Sequence, residues 1–159
     1  YFAKLSTKNY VVALEPDPDS YRKLLLNISL NKLTNILPLN TGLWNADQGI
    51  QFSPNEGEMS GVTFKKNNKS ISIKTITLDT LYKRIGKKID YVKMDIEGAE
   101  IEALQGGVEC IKKYHPKFII ASYHIRNGSM TKERVEKFLS KYYSNLRSVY
   151  SKQLVTIAT

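Results

Sequence analysis

Short apolar runs alternate with helically spaced apolar residues along most of this chain, and that alternation limits the folds it can adopt. Residues 10–14 form an apolar run that stops at Glu15 and Pro16, and Asp17 then supplies the cap of a helix. Residues 70–76 alternate between apolar and polar side chains, as a strand with one wet face does. Because strands and helices take turns, we predict an α/β domain with a mostly parallel sheet.

The rest of the chain continues this order. Further strands are predicted at residues 36–39, around 50–52 and 62–64, at 91–95, at 117–121, and in a hairpin from residue 146. Apolar residues at helical spacing predict four helices, and Thr77 is predicted to cap the second. In chain order, the apolar faces of the four helices are formed by Tyr21, Leu24, Leu25 and Ile28; by Leu78, Leu81, Tyr82 and Ile85; by Ile101, Leu104, Val108 and Ile111; and by Val135, Phe138, Leu139 and Tyr142. No repeat or linker divides the chain, so residues 1–159 are predicted to form a single domain.

Cysteine content and hydropathy exclude several classes of protein. Cys110 is the only cysteine, which rules out a disulfide framework or a Cys-based zinc cluster and favours a reduced, cytoplasmic protein. No apolar run approaches the ~20 residues of a membrane span, and no signal peptide is visible. We therefore expect no membrane partner.

Charge is distributed unevenly along the chain, whose net charge is +9. Residues 65–93 carry a net +7 and residues 112–159 a net +8, whereas residues 94–111 hold five acidic residues and no basic one. A basic balance is most often a solvated Lys-rich surface, and a nucleic-acid partner is the less favoured interpretation. The acidic block between basic flanks is the better place to look for chemistry.

Polar residues follow three predicted strands at the edge where α/β sheets bind their ligands. Glu15 can accept hydrogen bonds from the vicinal hydroxyls of a ribose, although a surface or capping acid is also common there. Asp95 and Glu97 follow the strand at 91–95, and Asp95 can orient a hydroxyl, hold an ammonium group or take up a proton. His124 follows the next strand, and its ordinary pKa suits proton transfer near neutrality, although a lone His is more often a hydrogen-bonded core residue.

The acidic residues also have structural explanations that require no function. Negative charge at a helix N-terminus stabilises the helix by ~0.3–1 kcal/mol, so part of the acidic block needs no function. A Mg²⁺ or Mn²⁺ site requires more oxygen ligands than the sequence brings together, so no metal site is predicted.

Several motifs are similar to those of FkbM-type methyltransferases, and together they cover about residues 1–125. The segment Asp95-Ile-Glu-Gly-Ala-Glu100 is the most specific; the others are residues 12–17, Asn27, Asn31, Gly42-Leu43-Trp44, residues 77–81, residues 89–94 and Leu104-Gln-Gly-Gly107. The resemblance implies a class I, Rossmann-like three-layer sandwich with a mostly parallel sheet. It also implies an S-adenosylmethionine-dependent O-methyltransferase that acts on a hydroxyl of a small acceptor such as a sugar or natural product.

The same resemblance implies roles for individual residues. Glu15 matches the acid that binds the cofactor ribose, and Asn40 and Gly42 lie in the turn near the adenine. Asp95 and Glu97 match the acidic pair that borders both the methionine end of the cofactor and the acceptor, and His124 matches a family histidine. The family usually has Glu two residues before that histidine; Ser122 stands there instead, which weakens any carboxylate–histidine pairing.

Residues 1–159 do not show the family's first strand and Gly-rich cofactor loop, and the sequence begins where the helix after that loop would be. In this topology the first strand lies between the strands that end at Glu15 and Asp95. Unpaired strand edges there would cost about 1–3 kcal/mol for each unsatisfied buried group. We therefore expect the domain to be N-terminally incomplete. The strand would come from the parent protein, from another segment or from another subunit, so a homo-oligomer is possible.

Three functions remain open at this point. The first is the O-methyltransferase, and the second is an RNA methyltransferase that uses the basic surface to bind phosphates. The third is a non-catalytic, methyltransferase-like binding domain, suggested by the absent glycine loop and by Ser122. Titration with S-adenosylmethionine separates the third function from the others, and a steep salt dependence of RNA binding identifies the second.

Overall fold

The computed structural model describes residues 2–5, 9–53, 61–62, 70–126, 128–150 and 153–159. Its helices are α1 (Phe2–Leu5), α2 (Pro18–Leu30), α3 (Leu78–Ile85), α4 (Glu100–Gln105), α5 (Val108–Tyr114) and α6 (Lys132–Leu139). Its strands are β1 (Val11–Leu14), β2 (Ile36–Leu39), β3 (Gly42–Leu43), β4 (Gly49–Ser53), β5 (Gly61–Val62), β6 (Ile71–Ile76), β7 (Tyr91–Met94), β8 (Lys117–Ala121), β9 (Ile125–Arg126), β10 (Ser129–Met130), β11 (Leu146–Tyr150) and β12 (Leu154–Ala158). The α/β class is confirmed. Of the strand predicted around 62–64, residues 63 and 64 lie outside the described ranges.

The strands form mixed sheets, not the mostly parallel sheet expected from the sequence. β1 and β2 are a parallel pair, and a four-stranded sheet of order β3-β6-β4-β5 contains one parallel pair, β3 with β6. A second four-stranded sheet has the order β11-β12-β8-β7, in which only β7 and β8 run parallel. The antiparallel pairs come from the C-terminal hairpin β11–β12, whose β12 lies against β8, and from β4, which pairs with β5 and β6.

In the described part of the chain, β1 and β7 each pair with a neighbouring strand along one edge. β1 pairs with β2, and β7 pairs with β8. Val12 and Leu14 of β1 and Val92 of β7 nevertheless pack against the same hydrophobic core. The expected strand between β1 and β7 stays a prediction.

Both predicted helix caps are confirmed. Asp17 Oδ1 accepts the Ser20 N–H at 2.7 Å at the start of α2, and Thr77 Oγ1 accepts the Thr80 N–H at 2.9 Å at the start of α3. A side-chain oxygen at this position satisfies one of the backbone N–H groups that lack a partner in the first helical turn.

The single helix predicted over residues 101–111 is wrong, because the chain breaks it at Gly106 and Gly107. α4 ends before these glycines and α5 begins after them. The backbone of Trp44 approaches Gly106, and a Cβ atom on Gly107 would lie 2.7 Å from Leu78 Cδ2. The helix is therefore interrupted where Gly106 and Gly107 lie close to Trp44 and Leu78.

Asp79 caps α5 from the neighbouring helix. Its Oδ1 and Oδ2 accept the N–H groups of Cys110 at 2.7 Å and Glu109 at 3.1 Å. Cys110 is fully buried and free, as expected, and burial together with the Asp79 charge raises its pKa to about 11. The thiol is therefore protonated and inert near neutral pH.

The outer helices differ in part from the prediction. α2 contains no buried residue, and Leu25 of its predicted apolar face is exposed, because the helix lies against the small β1–β2 pair. α6 ends at Leu139, so Tyr142 lies beyond the helix predicted to contain it.

The core lies between the β7–β8–β12 sheet and helices α3 to α6, with Leu104, Phe118 and Leu139 fully buried. No helix among the described residues is both long and apolar enough to span a bilayer.

Candidate active site

A tight turn after β7 carries the acidic block. Asp95 follows the last residue of the strand, and the backbone then passes through Glu97 with φ 55° and Gly98 with φ 90°. A non-glycine residue in this left-handed region costs about 1–3 kcal/mol and persists only where the surrounding structure enforces it. The turn reverses the chain so that α4 begins directly beside the end of the strand.

His124 meets the two predicted acids of this turn. It lies three residues after β8, its side chain is 7% exposed, and its backbone carbonyl accepts the Thr131 N–H at 2.8 Å. His124 Nε2 lies 3.5 Å from Asp95 Oδ1 and 3.5 Å from Glu97 Oε2. The structure therefore brings Asp95, Glu97 and His124 together at the ends of two adjacent parallel strands.

Glu100 is the member of the site that the sequence did not reveal. Its side chain is fully buried, and its Oε1 lies 2.9 Å from His124 Nδ1. This separation is within hydrogen-bond distance, and the two groups form an ion pair when the ring is protonated. Glu100 Oε1 also accepts the Gly98 N–H at 3.2 Å.

Glu100 also corrects the expectation about Ser122. The carboxylate that pairs with His124 comes from α4, not from the residue two positions earlier, and Ser122 bonds to Thr156 at 2.9 Å. A signal for this was present in the sequence, because Glu100 lies four residues before Leu104 and so on the apolar face of its helix. A carboxylate on a buried helix face needs a partner inside the protein.

The pKa values of this cluster follow from burial and mutual charge. Burial lowers the pKa of His124, but the carboxylates of Glu100, Glu97 and Asp95 outweigh this effect and raise the pKa above its ordinary value. Burial raises the pKa of Glu97, the Asp95 and Glu100 charges add to the increase, and His124 opposes it. Both shifts favour the protonated form of their group, and strongly perturbed groups of this kind cluster at functional sites.

Two further side chains contact Asp95, which is 29% exposed. The Tyr123 hydroxyl donates to Asp95 Oδ1 at 3.4 Å and accepts from Gln153 Nε2 at 3.0 Å, while Lys93 Nζ lies 3.4 Å from Asp95 Oδ2. The Tyr123 and His124 rings have centroids 4.3 Å apart. Asp95 is thus held between a phenol, an imidazole and an ammonium group at the rim of the site.

Arg126 fastens the hairpin β9–β10 to the turn. Its Nη1 donates to the Gly98 carbonyl at 3.0 Å and to Glu102 Oε2 at 2.6 Å. Neither Tyr123 nor Arg126 was singled out from the sequence, since isolated residues of these types carry no distinctive pattern.

The predicted cofactor residues Glu15, Asn40 and Gly42 form a second group at the ends of β1 and β2. Asn40 Nδ2 donates to the Glu15 carbonyl at 2.8 Å, and a Cβ atom on Gly42 would lie 3.5 Å from Pro16 Cβ. Glu15 is partly buried, and its Oε1 accepts the Asp17 N–H at 2.9 Å. Burial is the main cause that raises the pKa of Glu15; the Asp17 N–H opposes the increase and the Asp17 charge adds to it.

Among the described residues, no group of three or more His, Cys, Asp and Glu side chains is arranged to hold a metal ion.

The described residues form an α/β domain whose acidic and histidine side chains meet at the ends of two parallel strands. Its fold is similar to the crystal structure of Methyltransferase FkbM from Methylobacillus flagellatus KT, with a TM-score of 0.59 and 21% sequence identity. The match covers 94% of this chain and 36% of that chain. At this level of identity the likeness shows the fold alone.

The family follows from the sequence comparison. The model of the methyltransferase FkbM domain matches residues 1–146, and the chain therefore belongs to the FkbM methyltransferase family. It is also 33% identical over 138 residues to the hexuronic acid methyltransferase AglP of Haloferax volcanii. That match covers 86% of this chain and 55% of the relative, so the chain spans about half the length of the curated relative that it matches.

Proposed function

We propose that this chain is the core of an S-adenosylmethionine-dependent O-methyltransferase that acts on a hydroxyl of a small, sugar-like acceptor. Membership of the FkbM family and the similarity to a hexuronic acid methyltransferase support a methyltransferase with a carbohydrate acceptor. The observation that carries the proposal is the convergence of Asp95 Oδ1 and Glu97 Oε2 on His124 Nε2, each at 3.5 Å.

The residues of the two groups suit this cofactor. A carboxylate such as Glu15, partly buried at the end of β1, can accept hydrogen bonds from both ribose hydroxyls. Asn40 and Gly42 lie beside it and would border the adenine, while Asp95 offers negative charge to the sulfonium end. When bound, S-adenosylmethionine supplies the methyl group as an electrophile.

The chain's own residues would align the acceptor and take its proton. Transfer would form the O–CH₃ bond as the S–CH₃ bond of the donor breaks, which leaves a neutral thioether. The acceptor hydroxyl loses its proton in the process and therefore needs a nearby base. We assign Asp95 to orient the hydroxyl, because it is part exposed at the rim, and Glu97 and His124 to hold the released proton. Most of the acceleration would come from alignment, which is worth up to about 7–11 kcal/mol in well-oriented reactions.

The finer architecture is part of the same proposal. β1–β2 and β7–β8 would belong to one Rossmann-like sheet of a three-layer sandwich, joined by a strand from outside the described residues. Two observations support it: β1 and β7 each have one paired side in the described residues, and both pack on one core.

The proposed activity is tested with the protein that contains this chain, labelled S-adenosylmethionine and three acceptors: a uronic acid glycoside, a neutral glycoside and RNA. Label in a glycoside, with mass spectrometry placing it on oxygen, supports the proposal. Label in RNA alone supports the RNA alternative. Cofactor binding without transfer to any acceptor supports a non-catalytic domain.

A further inference from the structure

We propose that Glu100 is a positioning residue that fixes the His124 ring with Nδ1 inward and directs Nε2 at Asp95 and Glu97. Its relevance to catalysis rests on the proposed methyl transfer, but the geometry stands independently of it. Glu100 Oε1 lies 2.9 Å from Nδ1 on one side of the ring. Asp95 Oδ1 and Glu97 Oε2 lie 3.5 Å from Nε2 on the other.

The burial of the Glu100 carboxylate is the physical reason for its contact with His124. Its side chain is fully buried, and Oε2 has no hydrogen-bond partner among the described residues. A buried carboxylate is costly unless a positive charge and hydrogen bonds stabilise it. The Gly98 N–H supplies one hydrogen bond to Oε1, and the His124 ring, with Nδ1 2.9 Å from Oε1, supplies positive charge when it is protonated.

The position of Glu100 determines which nitrogen of the His124 ring is free to accept a proton. The carboxylate next to Nδ1 favours a proton on that nitrogen, since the partner of one ring nitrogen sets the protonation of the other. The neutral ring then presents the lone pair of Nε2 to the acidic rim, where a released proton can be received. Without Glu100, either nitrogen could carry the proton and the ring could rotate.

The side chains that face His124 come from several segments of the chain. Asp95 and Glu97 approach from the turn after β7, and Glu100 approaches from α4. The Tyr123 ring lies against the imidazole, and the Arg126 guanidinium on β9 is held by Gly98 and Glu102. Glu100 is the only one of the three carboxylates on the Nδ1 side.

Glu100→Gln is the decisive variant because Gln keeps the size and the acceptor for the Gly98 N–H while removing the charge. The chain has only two histidines, His115 and His124, so NMR titration of the imidazole groups is directly interpretable. The protein is measured without cofactor. We expect the titration midpoint of His124 to fall in Glu100→Gln.

Glu102→Gln is the matched control, since it removes a carboxylate from the same helix that contacts Arg126 and not His124. We expect it to leave the His124 midpoint in place. An unmoved midpoint in Glu100→Gln, or an equal fall in both variants, would overturn the proposal.

The unsubstituted protein provides a test that does not depend on the variant folding. Imidazole ¹⁵N shifts above the midpoint are expected to show His124 protonated at Nδ1, and the midpoint is expected to lie above that of the urea-unfolded chain. A proton on Nε2 in the neutral ring would refute the proposed orientation.

Kinetics then separate this inference from the proposed function. With an active acceptor, Glu100→Gln is expected to lower kcat by on the order of 10-fold or more and to move the acidic limb of the pH profile to lower pH. A purely structural residue would lower activity at every pH without moving that limb, and this result would remove the catalytic part of the inference. If no acceptor is methylated while the NMR predictions hold, the proposed function fails and the positioning role stands.

Discussion

The backbone carbonyl of Trp44 lies so close to Gly106 that a Cβ atom on residue 106 would overlap the carbonyl oxygen. The Asn45 Cα atom would lie 3.1 Å from the same Cβ position. Backbone atoms cannot turn aside as a flexible side chain can, so this approach requires glycine. The contact fixes the junction between α4 and α5, and with it the helix that carries Glu100.

Gly106→Ala is therefore expected to destabilise the fold by about 1–3 kcal/mol, the usual cost of overpacking. Urea-induced unfolding measures the change. Gly49→Ala is the control, because its Cβ would meet only Ser72 Oγ at 3.5 Å and the Ile73 carbonyl at 3.9 Å. Equal stability of the two variants would show that the Trp44 backbone yields easily.

Asp95→Asn is expected to keep the fold and to lower methyl transfer by ~10²-fold, because a hydroxyl that is no longer oriented loses its alignment with the methyl group. Turnover and thermal melting are compared with Asp90→Asn. Asp90 lies just before the other end of β7, where it forms an exposed ion pair with Lys88 at 3.1 Å. Such a pair contributes only about 0–1 kcal/mol.

The helix-dipole interpretation of the acidic block predicts a different outcome. In that interpretation Asp95 contributes under ~1 kcal/mol of stability and nothing to the rate. Asp95→Asn and Asp90→Asn would then have the same melting temperature, cofactor affinity and turnover, and Asp95 would be a structural acid.

Glu15→Ala is expected to weaken S-adenosylmethionine binding by roughly 1.5–3 kcal/mol, or ~10- to 150-fold, the value of a charge-assisted bidentate contact. Calorimetric titration measures the affinity, and melting reports the loss of the Glu15–Asp17 contact. Asp19→Ala is the matched control, since Asp19 lies in the first turn of α2 with its side chain 63% exposed. Equal affinities in the two variants would refute the ribose-binding role.

The raised pKa of His124 predicts a pH dependence of stability. The folded chain binds this proton more tightly than the unfolded chain, whose ordinary value is 6.5. The stabilisation is fully present below the unfolded pKa and is lost as pH rises through the folded pKa. We expect the free energy of unfolding to fall with rising pH over that window.

His124→Gln is expected to flatten this fall. The raised pKa of Glu97 acts in the same direction, and its contribution begins from a lower ordinary value of 4.5. A slope that survives in His124→Gln would assign the dependence to other groups.

Local signals in the sequence were sufficient for much of the fold. Asp17 and Thr77 are predictable caps because their oxygens satisfy N–H groups within three residues. The meeting of Asp95 with His124 follows from parallel strands that end at one edge of a sheet.

Contacts between distant segments could not be predicted in the same way. The break in the helix at Gly106 depends on the backbone of Trp44, which is remote in sequence. The pairing of Glu100 with His124 depends on how α4 lies against the segment after β8, and helical spacing alone marked Glu100 only as a residue on the apolar face. The exposure of Leu25 likewise depends on how little sheet lies beneath α2.

At position 97 the left-handed backbone favours glycine, whereas the acidic cluster contains a carboxylate there. Glycine would relieve a strain of about 1–3 kcal/mol there but would remove the carboxylate. With the proposed role of Glu97 in holding the released proton, selection for stability and selection for activity favour different residues at position 97. In a library screened only for thermal stability, Glu97→Gly should be enriched, whereas a library screened for methyl transfer should retain the acid.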